Sequence, residues 1–234
     1  MLLPRSRVPA KTARWENEIV GRVIPLTETI RLSDGEELAN AISHGTACLV
    51  ALSISCYLIA THSFSNGLSQ LGFFAYACSL IIVLFASTVS HIVRDPEWLH
   101  FWRAWDQGTI YLLIAGTYTP GIIAFCHEWT EGVALLLVWG LAAFGFYSKV
   151  IAKHRVSGVA TINYLALGWL PALILFPQVS RTYFLWLLAG GLSYSMGVWF
   201  LVNDHRVKFF HLVWHLWVTL AAGIHYYAIC TMAI

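Results

Sequence analysis

Long apolar runs dominate the chain. They fall near residues 38–61, 70–92, 107–126, 132–150, 158–177, 182–202 and 209–233, each parted from the next by a stretch richer in charged, polar or turn residues. A helix of about 20 such residues crosses the hydrocarbon core of a bilayer. None of the runs alternates with the two-residue period of an outer-membrane strand, and lipid tolerates no open sheet edge. The pattern therefore predicts an all-α fold: a seven-transmembrane helical bundle over residues 36–234, preceded by a polar N-terminal arm at 1–35. Two helix starts are marked in the sequence. Ser33 and Glu36 have capping-box spacing before the first run, and Asp95-Pro96 places a cap and a first-turn proline before the segment leading into the third.

Composition agrees with this reading. Only 11% of the 234 residues are charged and 58% are hydrophobic, too little charge to coat a soluble sphere of this size. The net charge of +2 points to neither a nucleic-acid binder nor an acidic disordered chain. The distribution of the 14 basic residues carries more information. Six lie in the first 37 residues, two in the second connection (Arg94, Arg103), three in the fourth (Lys149, Lys153, Arg155) and two in the sixth (Arg206, Lys208), while Arg181 stands alone on the other side. By the positive-inside rule the N-terminus is cytoplasmic and the C-terminus outside, and an odd number of spans is required. The five cysteines sit in or at the ends of runs without CxxC spacing, and read as packing residues rather than disulfides or ligands. No low-complexity segment or internal repeat is evident.

Ionisable residues inside spans are costly and mark function by default. The second run ends in Ser87-Thr88-Val89-Ser90-His91, the third opens at Asp106, and the seventh opens with His211-Leu212-Val213-Trp214-His215. With the orientation above, all of these reach one depth near the inner leaflet. His211 and His215 are four residues apart, so a helix presents both on one face, about 6 Å apart along its axis. His91 adds a third imidazole from a neighbouring helix. Three imidazoles with an open fourth position match a catalytic zinc centre. Asp106 is then the general-base carboxylate, and Ser87, one turn before His91, a hydrogen-bonding partner for water or substrate. Glu37, Asn40 and His44 recur at helical spacing on the first span, and read either as support for the metal ligands or as an interhelical polar cluster. His62, His100, His127, His154 and His205 fall in loops or interfacial positions and read as solvated, and His225 as a hydrogen-bonded packing residue in mid-span. Gly190-Gly191 and Gly197 permit close helix approach, and Pro120 and Pro171 mark kinks. Haem fits poorly, because His211 and His215 share one helix and cannot take opposite axial positions.

These same residues carry a resemblance. The segments EELANAISHG from Glu36, STVSH over Ser87 to His91, DQGTIYLLIAGTYTP from Asp106, YLALGWLP from Tyr164, Gly190 to Phe200 and HLVWH over His211 to His215 resemble the haemolysin III family, bacterial members of the progestin and adipoQ receptor family. The resemblance covers the membrane region from about 36 to 230 and leaves the arm out. It implies a zinc ion on His91, His211 and His215, a water facing Asp106, and Ser87 nearby. It also implies kinship with the superfamily containing alkaline ceramidases, hence metal-assisted hydrolysis of a lipid amide.

The expectation is a multi-pass protein of the bacterial plasma membrane that uses zinc to hydrolyse a lipid amide or ester in membrane lipid homeostasis, with a membrane lipid as substrate or ligand. The competing expectation is a non-enzymatic lipid sensor with structural zinc, or a cytolytic channel; against a channel, the runs lack the rows of charge that line an aqueous pore.

Overall fold

The computed structural model describes residues 32–127, 129–152 and 157–232. Among these residues seven α-helices follow one another: α1 Asp34–Thr61, α2 Gly67–Ile92, α3 Pro96–Phe125, α4 Trp129–Phe146, α5 Ser157–Leu175, α6 Arg181–Val202 and α7 Phe210–Met232. A π-helical turn, Tyr147–Ile151, extends α4. Among the described residues, six of the helices, all but α5, are long and apolar enough to cross a membrane. Most of the predicted arm, residues 1–31, lies outside the described residues, as do Lys153, His154 and Arg155.

The predicted helix starts have their physical basis in the caps. At α1 the Ser33 backbone N–H (3.3 Å) and hydroxyl (2.6 Å) both donate to the Glu36 carboxylate. At α3 Asp95 accepts from the Glu97 and Trp98 N–H groups, with Pro96 in the first turn. These bonds satisfy donors that helix geometry leaves without partners.

Successive helices pack on one another, and α1 closes the ring against α7. α3 lies at the centre, touching α2, α4, α5 and α7. Its central place follows from small and hydroxylated residues. Thr109, Thr117 and Thr119 are buried because each hydroxyl donates to the carbonyl one turn earlier, at 2.8 Å. Gly116 lets α2 approach so closely that an added Cβ would collide with Ser79 Oγ and sit 2.8 Å from the Ala75 carbonyl oxygen. The second contact is backbone and cannot rotate away. Gly116→Ala is therefore expected to destabilise the bundle by about 1–3 kcal/mol, read as a lowered unfolding temperature in detergent. Gly145→Ala, whose new methyl would meet the Tyr111 ring, is the comparison in which a side chain must move instead.

The outer surface is apolar. Leu38, Ile42, Leu49, Val50, Ile54 and Tyr57 of α1 are exposed, whereas Asn40, His44 and Ser55 of the same helix are buried. This inversion is expected when lipid is the solvent, since polar groups turn inward to find partners. The five cysteines are free thiols, of which Cys126 is buried and Cys56 and Cys78 face outward rather than packing.

α3 and α5 continue as helices past Pro120 and Pro171, the positions expected to kink them. Two sequence expectations are corrected. Lys149, counted with the basic residues of the fourth connection, is buried in the π-turn. His62 and His100, read as solvated, are half-buried, while His127 and His205 are exposed as expected.

Candidate metal centre

One end of the bundle gathers the polar groups. His91 comes from the last turn of α2, and His211 and His215 from the first turns of α7. Their ring centroids are 5.2 Å (His91 to His211), 5.0 Å (His91 to His215) and 4.8 Å (His211 to His215) apart. One nitrogen from each lies within 4.8 Å of the other two, so the cluster can hold a metal ion.

The hydrogen bonds decide which nitrogen faces the centre. His91 Nδ1 donates to Glu37 Oε2 at 2.6 Å, His211 Nδ1 to Asp204 Oδ2 at 2.8 Å, and His215 Nδ1 to the Asn40 carbonyl at 3.3 Å. A carboxylate or a carbonyl can only accept, so each Nδ1 carries the proton and each Nε2 keeps its lone pair. His91 Nε2 is buried with no hydrogen-bond partner among the described residues. A buried acceptor left unpaired is rare in a settled structure, and the donor set suits a metal of imidazole preference.

Glu37 is the hub of the surrounding bonds. Besides His91 it accepts from Arg103 Nη2 at 3.1 and 3.2 Å and from the Leu32 N–H at 3.1 Å. Its buried charge is thus paired and hydrogen-bonded, as burial demands. Asn40 meets the cluster through its backbone, while its own side-chain amide is buried without a partner among the described residues. Ser43 Oγ lies 3.1 Å from His215 Nδ1. His44 stacks flat on His215, centroids 3.6 Å apart and planes at 4°, and its Nδ1 lies 2.8 Å from Ser87 Oγ. Asp106 Oδ2 accepts from Ser90 Oγ at 3.2 Å.

All eight residues that the sequence points to, His91, His211, His215, Asp106, Ser87, Glu37, Asn40 and His44, lie at this end. Asp204, Arg103, Ser43 and Ser90 join them without having been expected. Arg103 had a signal: three residues before Asp106, it shares a helix face with it. Asp204 had none, because it sits in the connection between α6 and α7 and reaches His211 only when that connection folds back.

A cavity of about 550 Å³ opens beside the cluster. Asp106, His211 and His215 line one end, and its walls from α3, α5 and α6 include Ile110, Leu165 and Leu188. His225, ten residues beyond His215, lines it deeper in the bundle. Among the described residues, α5 and α6 form the most sparsely packed pair of successive helices.

Buried polar groups inside a lipid-facing helical bundle, with three imidazoles converging at one end, define a multi-pass membrane protein with a histidine centre able to bind metal. The Haemolysin-III related family matches residues 33–226, and the chain belongs to that family. It is similar to "Hemolysin-3" of Bacillus cereus, 30% identical over 199 residues that cover 83% of this chain and 90% of the relative. It is also similar to "Monocyte to macrophage differentiation factor" of Homo sapiens, 32% identical over 218 residues and covering 83% of each chain.

Proposed function

We propose that the protein is a zinc-dependent hydrolase of a lipid amide or ester, embedded in the bacterial plasma membrane and serving membrane lipid homeostasis. The observation that carries this reading is the junction of two features: the three Nε2 atoms oriented by Nδ1 bonds, and the cavity with apolar walls that is lined by two of those rings, His211 and His215. His91, His211 and His215 would hold the ion, which supplies Lewis-acid polarisation of a carbonyl and an acidified water. Glu37, Asp204 and the Asn40 carbonyl keep the three rings in register. Asp106, which lines the same cavity as His211 and His215, accepts the proton, and Ser87, tied to His44, hydrogen-bonds water or substrate. The sparse seam between α5 and α6 admits an acyl chain sideways from the bilayer.

The assay is release of fatty acid from a panel of ceramides and phospholipids by purified protein, metal-loaded against chelator-stripped. The expected result is release that depends on added zinc. No release above the stripped control favours the sensor with structural zinc. The name of the Bacillus cereus relative points to lysis, but the apolar walls suit a lipid chain better than a column of water.

The seven spans, with α5 as the fifth, and the cytoplasmic N-terminus are part of the same proposal, and rest on the asymmetry of the basic residues. In a cysteine-free background, a membrane-impermeant thiol reagent applied to whole cells is expected to label Ser65→Cys and to spare Glu97→Cys. The reverse pattern would invert the orientation.

A further inference from the structure

The deep part of the cavity holds two polar groups that the proposed chemistry leaves unused. His225 of α7 is only 5% exposed. Its Nε2 lies 3.2 Å from the Leu187 carbonyl oxygen, which can only accept, so Nε2 carries the proton and Nδ1 a lone pair. That Nδ1 is buried without a partner among the described residues, and so is the Tyr194 hydroxyl of α6. The two rings lie 5.8 Å apart, centroid to centroid, and both residues line the cavity. The room for the imidazole is built into the backbone, because a Cβ on Gly190 would collide with His225 Nε2.

We propose that His225 and Tyr194 form a polar subsite that receives a hydroxyl group carried on a lipid chain. This inference rests on the reading of the cavity as a lipid-chain site. A hydroxyl suits the pair because it donates and accepts at once, giving its proton to Nδ1 while accepting from the phenol. A chain without a hydroxyl would leave both groups unpaired in an apolar wall, which is unfavourable. The register follows from the helix. Ten residues separate His225 from the ligand His215, so the subsite stands about 15 Å from the metal centre. An extended chain advances slightly more than an ångström per carbon, which brings the hydroxyl near carbon twelve when the carbonyl is at the histidines. The subsite would make the protein selective for acyl chains hydroxylated in mid-chain.

Competition for a bound fluorescent fatty acid tests this in the full-length protein in detergent. The competitors are stearate, hydroxystearate with its hydroxyl on carbon twelve, and hydroxystearate with its hydroxyl on carbon two. The carbon-twelve compound is expected to compete about 3- to 10-fold more tightly than stearate, the yield of one or two net hydrogen bonds, and the carbon-two compound to gain nothing. His225→Phe and Tyr194→Phe should each bring the carbon-twelve compound level with stearate. Tyr194→Phe removes one oxygen and keeps the ring, so it remains informative if His225→Phe folds poorly. Equal competition by all three compounds in the wild type would overturn the subsite and leave the lipid cavity standing, the result expected if an ordered water satisfies the pair. Failure of every fatty acid, probe included, to bind would overturn the cavity reading and the subsite with it.

Discussion

Alanine at His91, His211 and His215 together is expected to abolish metal binding, with about one zinc per chain in the wild type falling to background in elemental analysis. The three rings converge from α2 and α7, and each Nε2 is aimed by a bond at its Nδ1, so no other nitrogen set among the described residues substitutes for them. The effect on stability should run in parallel. A metal that joins the end of one helix to the start of another binds the folded chain and not the unfolded one, and at a hundredfold excess over Kd this stabilises by about 2.7 kcal/mol. Adding chelator to the wild type should therefore lower its unfolding temperature, and the triple variant should be indifferent to chelator. Single substitutions fall between, with His91→Ala the most damaging to folding, because it also deprives the buried Glu37 carboxylate of one of its partners and leaves Arg103 to balance it. Full zinc content in the triple variant would place the site elsewhere.

Asp106→Asn is the second large effect, and it separates chemistry from structure. The amide has the shape of the carboxylate and its oxygen can still accept from Ser90, so metal content and fold should persist. It cannot take a proton. If Asp106 is the base, zinc-dependent hydrolysis should fall by about 10²–10⁴-fold, the usual worth of general-base assistance, with metal occupancy unchanged. Loss of metal together with activity would make Asp106 a structural residue instead. A protein that senses lipid without cleaving it has no turnover to lose, and the same substitution would alter only its stability and lipid phenotype.

Much of this architecture is legible in the amino-acid sequence. Helix positions follow from hydrophobic run length, because a bilayer demands a set number of apolar residues per crossing, and the observed helices lie close to the predicted runs. The capping residues Ser33 and Asp95 are readable because a cap is a contact within a few residues. The histidines stand out for a different reason: a titratable group within a span is too costly to be idle. The i, i+4 spacing of His211 and His215 places them on one face, and the alternation of spans brings His91 to the same depth.

Contacts between distant segments escape that reasoning. Helical spacing marks Glu37, Asn40 and His44 as one polar face of α1, but not that the Glu37 carboxylate binds His91 of α2 and Arg103 of α3, nor that the Asn40 backbone carbonyl holds His215 of α7. A backbone carbonyl has no identity in a sequence, so this support is invisible there. Asp204 is hidden for a related reason, since charge counting assigns it to a connection and says nothing of its 2.8 Å bond to His211. Transfer energies are local and add along the chain, which is why residue order alone specifies a helical bundle built for lipid and marks the imidazoles too costly to be there by chance. Which ring nitrogen faces the centre, the path of the cavity from that centre to His225, and the space that Gly190 leaves for the His225 ring belong to the folded bundle, because each depends on which faces of separate helices meet.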